Sequence, residues 1–90
     1  MLKGKVNIIN RLGLHARAAA QLVRLASGFQ SSIKFYRTDN SVIADAKSIL
    51  SVLTLAASQG VELDYEIDGE DEQAASKAIL KIFANGFGEL

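Results

Sequence analysis

Val61-Glu62-Leu63-Asp64-Tyr65-Glu66-Ile67-Asp68 decides the fold. Apolar and acidic side chains alternate along this stretch without a break. Successive side chains of a strand point to opposite faces, so Val61, Leu63, Tyr65 and Ile67 line a buried face while the four acids face water. A sheet with one wet face must carry all its helices on the other. Working outward, Lys5 to Asn10 reads as a first strand, with Val6 and Ile8 on one face. Asn10-Arg11-Leu12-Gly13 reads as a loop. Ala16 to Ser27 reads as a helix whose Ala19, Leu22, Val23 and Ala26 form one stripe, ended by Ser27-Gly28. Strands over 32–37 and 42–46 flank the polar connection Thr38-Asp39-Asn40-Ser41. Ser48 to Ala57 reads as a second helix and about Glu70 to Ala84 as a third. In the third, Ala75, Ala78, Ile79, Ile82 and Phe83 form the inner face, acids occupy the first turn, and Asn85-Gly86 stops it. The order βαββαβα predicts an α+β domain with a four-stranded antiparallel sheet and three helices on one face.

The chain has 90 residues, of which 49% are apolar. That is enough for one core and too little chain for two, and no linker, repeat or low-complexity tract divides it, so one domain over 1–90 is expected. The absence of Cys excludes disulfides, thiolate zinc sites and thiol catalysis, and suits a reducing compartment. No apolar run approaches the roughly 20 residues needed to span a bilayer, and Met-Leu-Lys-Gly-Lys does not open a signal sequence. A soluble cytoplasmic protein is expected, without membrane insertion. A single His excludes a multi-His metal cage, so no metal or cofactor is expected.

The formal net charge is zero, yet Met1 to Thr38 holds seven basic residues and no acid, while all ten acids follow from Asp39 onward. Either both signs end up mixed on a solvated surface, or the basic half faces something anionic.

The lone His lies in that basic half, in Gly13-Leu14-His15-Ala16-Arg17-Ala18-Ala19-Ala20. A helix start exposes backbone N–H groups and partial positive charge, which makes it an anion site. His15 falls at that start and Arg17 within the same turn. An imidazole placed there can act as a nucleophile, and its phosphorylated form could be cradled by the amides near Ala16 and Arg17 and by the guanidinium. The plain structural alternative is a loop histidine bonded to a nearby carbonyl. A metal role lacks a second ligand, and no ordered Ser–His pair is visible.

Gly13-Leu14-His15-Ala16-Arg17 followed by small residues resembles the active-site motif of HPr, the histidine phosphocarrier family of the bacterial phosphotransferase system. Lys47-Ser48-Ile49-Leu50-Ser51-Val52-Leu53-Thr54-Leu55 resembles the family's second motif, around its regulatory serine. The ending Ile82-Phe83-Ala84-Asn85-Gly86-Phe87-Gly88 looks closer to NPr, the nitrogen-branch paralogue. The resemblance spans essentially the whole chain. It implies an open-faced β-sandwich and a monomeric carrier, not an enzyme in its own right. His15 would accept a phosphoryl group on Nδ1 from phosphorylated Enzyme I and pass it to an EIIA-type domain, with Arg17 stabilising the phosphate. The family usually has Pro where this chain has Ala18. Ala preserves the helix, so the substitution bears on the rigidity of the helix entry.

The second helix has more apolar surface than one stripe buries. Val52, Leu55 and Ala56 can point inward, which leaves Ile49, Leu50 and Leu53 outward as a docking patch for partners, completed by Ala20 and Arg24. The alternative is that the short helix is buried all round. Ser48 is a good N-cap, and in one branch of the family it is also the target of an HPr kinase/phosphorylase. Two other readings compete with this one. An HPr-like regulatory protein of NPr type would use phosphorylation to control binding to regulatory partners. A nucleic-acid-binding domain would need aromatics on the wet sheet face, where Val61–Asp68 places acids instead, so no nucleic-acid partner is expected.

Overall fold

The computed structural model describes residues 1–89. Its elements are β1 (Leu2–Asn7), α1 (Ala16–Ser27), β2 (Ser32–Arg37), β3 (Val42–Asp45), α2 (Ile49–Leu53), β4 (Glu62–Asp68) and α3 (Glu72–Ala84), followed by a 3₁₀ turn at Gly86–Gly88. The four strands form one antiparallel sheet in the order β1-β4-β2-β3. The α+β reading and the βαββαβα order are both met.

The alternation in β4 sets the layers. Leu63, Tyr65 and Ile67 are buried with Val6, Ile33, Phe35 and Ala44 of the neighbouring strands. Against them pack Ala18, Ala19, Leu22 and Ala26 of α1, Val52 of α2, and Ala75, Ile79 and Phe83 of α3. An aromatic series runs through the core. The ring centroids of Phe35 and Phe83 lie 5.4 Å apart, and Phe87 meets Phe83 edge-on at 5.0 Å.

The structure moves several boundaries. β1 begins at Leu2 and ends at Asn7, not at Lys5 and Asn10. Gly4 hides the early alternation, because it contributes no side chain and lies opposite Tyr65, whose phenol ring fills the space a Gly4 Cβ would need. α2 stops at Leu53, not Ala57. Its ladder tightens into i→i−3 bonds from Leu55 to Val52 and from Ala56 to Leu53, and Ala56 turns left-handed at φ 48°. Leu55 stays buried, whereas Ala56, expected inward, is exposed. β3 ends one residue early, β4 starts one residue late, and α3 starts at Glu72. Asp71 precedes α3 without capping it, since its carboxylate accepts from the Gln30 and Ser31 amides instead.

Folding brings parts of the two charge halves together. β1 lies beside β4, so Lys5 Nζ sits 2.8 Å from Asp64 and 3.5 Å from Glu62. Arg37 pairs with Asp39 at 2.7 Å. Two of the seven basic residues of that half are thus spent on a cross-strand and a turn pair, which favours the mixed surface for those two. Among the described residues, the other five, Lys3, Arg11, Arg17, Arg24 and Lys34, have no ion-pair partner within 4.0 Å. No helix among them is long and apolar enough to cross a membrane.

Candidate functional site

The loop before α1 is built by Gly13. Its φ of +69° is left-handed, and a Cβ there would run into the Ala57 carbonyl and Ser58 Cα. That close approach lets the Leu14 amide donate to the Ala57 carbonyl at 2.8 Å. His15 follows with extended backbone and serves as the N-cap of α1. Helical bonding starts with the Ala19 amide donating to the His15 carbonyl, so the amides of Ala16, Arg17 and Ala18 precede the ladder.

The His15 ring is held at both nitrogens. The Arg17 amide donates to Nδ1 at 3.3 Å. Nε2 lies 2.6 Å from Glu89 Oε2. A nitrogen that accepts from an amide carries a lone pair, so the proton belongs on Nε2, where it donates to the carboxylate. The His15 side chain is 26% exposed and that of Glu89 12%. Glu89 Oε1 accepts in turn from Asn10 Nδ2 at 2.9 Å, and the same Nδ2 donates to the Gly13 carbonyl at 2.9 Å. The Asn10 hydrogen bond holds the Glu89 carboxyl below the ordinary glutamate range. Partial burial opposes that shift, and the hydrogen bond and charge of His15 and the charge of Arg17 add to it.

Arg17 is exposed in the first turn of α1, two residues from His15, and has no ion-pair partner among the described residues. Ala18 is fully buried at the third helical position, ahead of the bonded ladder, where a proline ring would remove no helical hydrogen bond. Ser48 Oγ accepts from the Ser51 amide at 3.3 Å as the N-cap of α2. Ile49, Leu50 and Leu53 point outward, Leu50 being 75% exposed. Ile49 closes a shallow groove of about 370 Å³ with Ala20, Val23, Arg24 and Ser27, so α1 and α2 present one continuous surface. Ala16 is exposed and Ala20 half-buried.

Sequence reasoning missed Glu89, Asn10 and the exposed Leu12. Glu89 is 74 residues from His15. A larger concavity of about 490 Å³ lies on the wet sheet face between Lys3, Lys5, Tyr36, Asp64 and Glu66, well separated from this chemistry by the sheet itself. Among the described residues, no three His, Cys, Asp or Glu side chains are grouped to hold a metal ion.

This arrangement offers an imidazole whose Nδ1 stands at a helix start, an arginine in the same turn, and a carboxylate at Nε2. Residues 2–85 match the family model described as the PTS HPr component phosphorylation site. The chain is 51% identical over 89 residues to phosphocarrier protein HPr of Cupriavidus necator, covering 99% of this chain and 98% of that protein. It is 42% identical over 85 residues to phosphocarrier protein NPr of Proteus mirabilis, covering 94% and 93%. The crystal structure of HPr-C-His from Thermoanaerobacter tengcongensis superposes with a TM-score of 0.92 at 39% identity, covering 100% of this chain and 99% of that one. With a phosphorylation-site match over nearly its whole length, relatives at this identity and the same fold, the chain belongs to the HPr family of phosphotransferase-system phosphocarriers.

Proposed function

We propose that this chain accepts a phosphoryl group on His15 Nδ1 from phosphorylated Enzyme I and passes it to an EIIA-type domain. The observation that carries the reading is the ring held at both ends, with Nδ1 facing the Arg17 amide and Nε2 facing Glu89. The Nδ1 lone pair attacks phosphorus, and the bond from phosphorus to the donor breaks, its electron pair leaving on the donor. The Arg17 amide that donates to Nδ1 in the free protein then meets a phosphoryl oxygen, and the Ala16 amide lies in the same unladdered turn. The phosphorylated ring keeps its Nε2 proton and becomes cationic, and Glu89 balances that charge. On the next transfer the ring departs as a neutral imidazole, which is a good leaving group. The Arg17 guanidinium offsets phosphoryl charge. A near-surface pair at about 4 Å is worth on the order of 4 kcal/mol before desolvation, enough to hold the group without sinking it.

Ile49, Leu50 and Leu53, with Ala20 and Arg24, form the docking surface for both partners in this reading. Arg17 and Arg24 favour an acidic partner face, so affinity for Enzyme I should fall as salt rises. A phosphate on Ser48, added by an HPr kinase/phosphorylase, would sit in the middle of that surface.

The test is incubation with Enzyme I and phosphoenolpyruvate, followed by intact mass and acid-lability measurements. One acid-labile phosphate is expected on the wild-type chain and none on His15→Ala. Labelling of the variant at the wild-type rate would overturn the reading.

A further inference from the structure

We infer that Asn10 and Glu89 are positioning residues of the phosphoryl site, which together hold His15 with its proton on Nε2 and its lone pair on Nδ1. The inference deepens the phosphocarrier reading and rests on it for its meaning, though not for its test.

Asn10 is fully buried, yet its Oδ1 has no hydrogen-bond partner among the described residues. Its amide orientation explains why. Nδ2 faces two acceptors, the Gly13 carbonyl and Glu89 Oε1, each at 2.9 Å. Turning the amide over would aim Oδ1 at a carbonyl and a carboxylate and lose both bonds, so the orphaned oxygen follows from presenting two donors.

Glu89 is thereby divided between two donors, with Oε1 on Asn10 and Oε2 on His15 Nε2. A carboxylate engaged at both oxygens cannot rotate freely, and its direction fixes the imidazole plane. Only a carboxylate meets both needs, because it accepts at each oxygen. The backbone delivers it deliberately. Phe87 adopts φ 55° while buried against Phe83, and this left-handed turn folds the tail back across the start of α1.

The proton on Nε2 matters because the other tautomer would spend the Nδ1 lone pair on an N–H bond and set it against the Arg17 amide, donor against donor. Asn10 acts through Glu89 and touches no reacting atom, so neither residue is a nucleophile or an acid–base catalyst.

The experiment measures the His15 tautomer by long-range ¹⁵N NMR on the unphosphorylated protein, with transfer rates from phosphorylated Enzyme I. Wild type should show the proton predominantly on Nε2. Glu89→Gln provides one acceptor for two donors, so its amide must oppose either Asn10 or His15. It should populate the Nδ1–H tautomer and slow transfer by about tenfold or more. Asn10→Asp keeps the shape but turns a donor toward Glu89 into an acceptor, and should shift the tautomer in the same direction. Asn10→Ala should slow transfer less than Glu89→Gln. The Asn10→Ala, Glu89→Gln double variant should be no slower than Glu89→Gln alone, within about twofold, because Asn10 acts only through Glu89. Melting curves identify any variant that fails to fold, and Glu89→Gln alters only the tail. A wild-type tautomer and rate in Glu89→Gln would overturn the inference, as would single losses that multiply in the double variant. Failure of wild-type His15 to take phosphate would overturn the phosphocarrier reading instead, and the tautomer ratios would still judge the Asn10–Glu89 pair.

Discussion

The Leu14 amide donates to the Ala57 carbonyl at 2.8 Å, so the loop that ends at His15 is pinned to the chain leaving α2. Gly13 makes that approach possible, with its φ of +69° and with no room for a Cβ against Ala57 and Ser58. Gly13→Ala should therefore cost about 1–3 kcal/mol through backbone strain and lost packing. It should also slow phosphorylation of His15 more than the stability loss accounts for. Denaturant unfolding and the Enzyme I assay check both, and a variant with unchanged stability would remove Gly13 as the element that sets the loop.

Arg17 should behave differently. Its side chain is exposed and pairs with nothing among the described residues, so Arg17→Ala should leave stability within about 0.5 kcal/mol of wild type. Transfer should slow by about tenfold or more, since a guanidinium beside the phosphoryl group is lost. Normal transfer in both directions would take Arg17 out of the site.

Glu89 has a folded pKa below the ordinary 4.5 of a glutamate, chiefly because Asn10 donates to it. A depressed carboxylate stabilises the folded state fully above its unfolded pKa, and that contribution is lost as pH falls through the folded value. The stability difference between wild type and Glu89→Gln should thus be constant near neutral pH and shrink as pH drops below about 4.5. Melting curves across that range are the check; a difference that widens on acidification contradicts the assignment. In Asn10→Ala the Glu89 titration, followed by NMR, should move up toward 4.5.

Ser48 caps α2 through the Ser51 amide, a helix of five residues with little else to define its start. Ser48→Ala should cost about 1 kcal/mol and leave transfer nearly intact. Ser48→Asp places negative charge where a helix start favours it, so the melting temperature should hold or rise slightly. That charge also stands next to Ile49 and Leu50, and should slow phosphorylation of His15. Equal transfer rates for Ser48→Asp and wild type would reduce Ser48 to a cap.

Leu50 is 75% exposed on the turn after Ser48. Leu50→Ser should change stability by less than about 0.5 kcal/mol. It should weaken Enzyme I binding by about tenfold if this surface is the docking centre. Val52→Ala, at a fully buried position of the same helix, should do the reverse and lower the melting temperature with little change in affinity. Calorimetry and binding titrations on the pair separate surface from core.

Most of the scaffold was legible because its signals are local. The period of two in β4 and the stripe of α1 each declare which face is buried, and α1 runs over the predicted residues Ala16–Ser27. His15 and Arg17 were placed by the helix start they share. Ala56 was misread because the apolar spacing continues past the point where the backbone turns left-handed, and spacing alone carries no record of φ. The two charge halves left two readings open, and the sequence could not choose between them for a topological reason, since β1 and β4 are distant in sequence and adjacent in the sheet. Glu89 was invisible for the same reason. Its one hint is the aromatic Phe87 between two glycines, a pattern that lets the chain reverse and return an apolar ring to the core.

The strand order has a kinetic consequence. Leu2 pairs with Ile67 and Asn7 with Glu62, so β1 can join the sheet only once a loop of most of the chain has closed. The β2–β3 hairpin and both long helices need only local closure, and loop entropy makes them the cheaper early events. Refolding should therefore be limited by docking of β1 onto β4. With no proline in the chain, it should also lack the slow isomerisation phase of tens to hundreds of seconds that proline imposes.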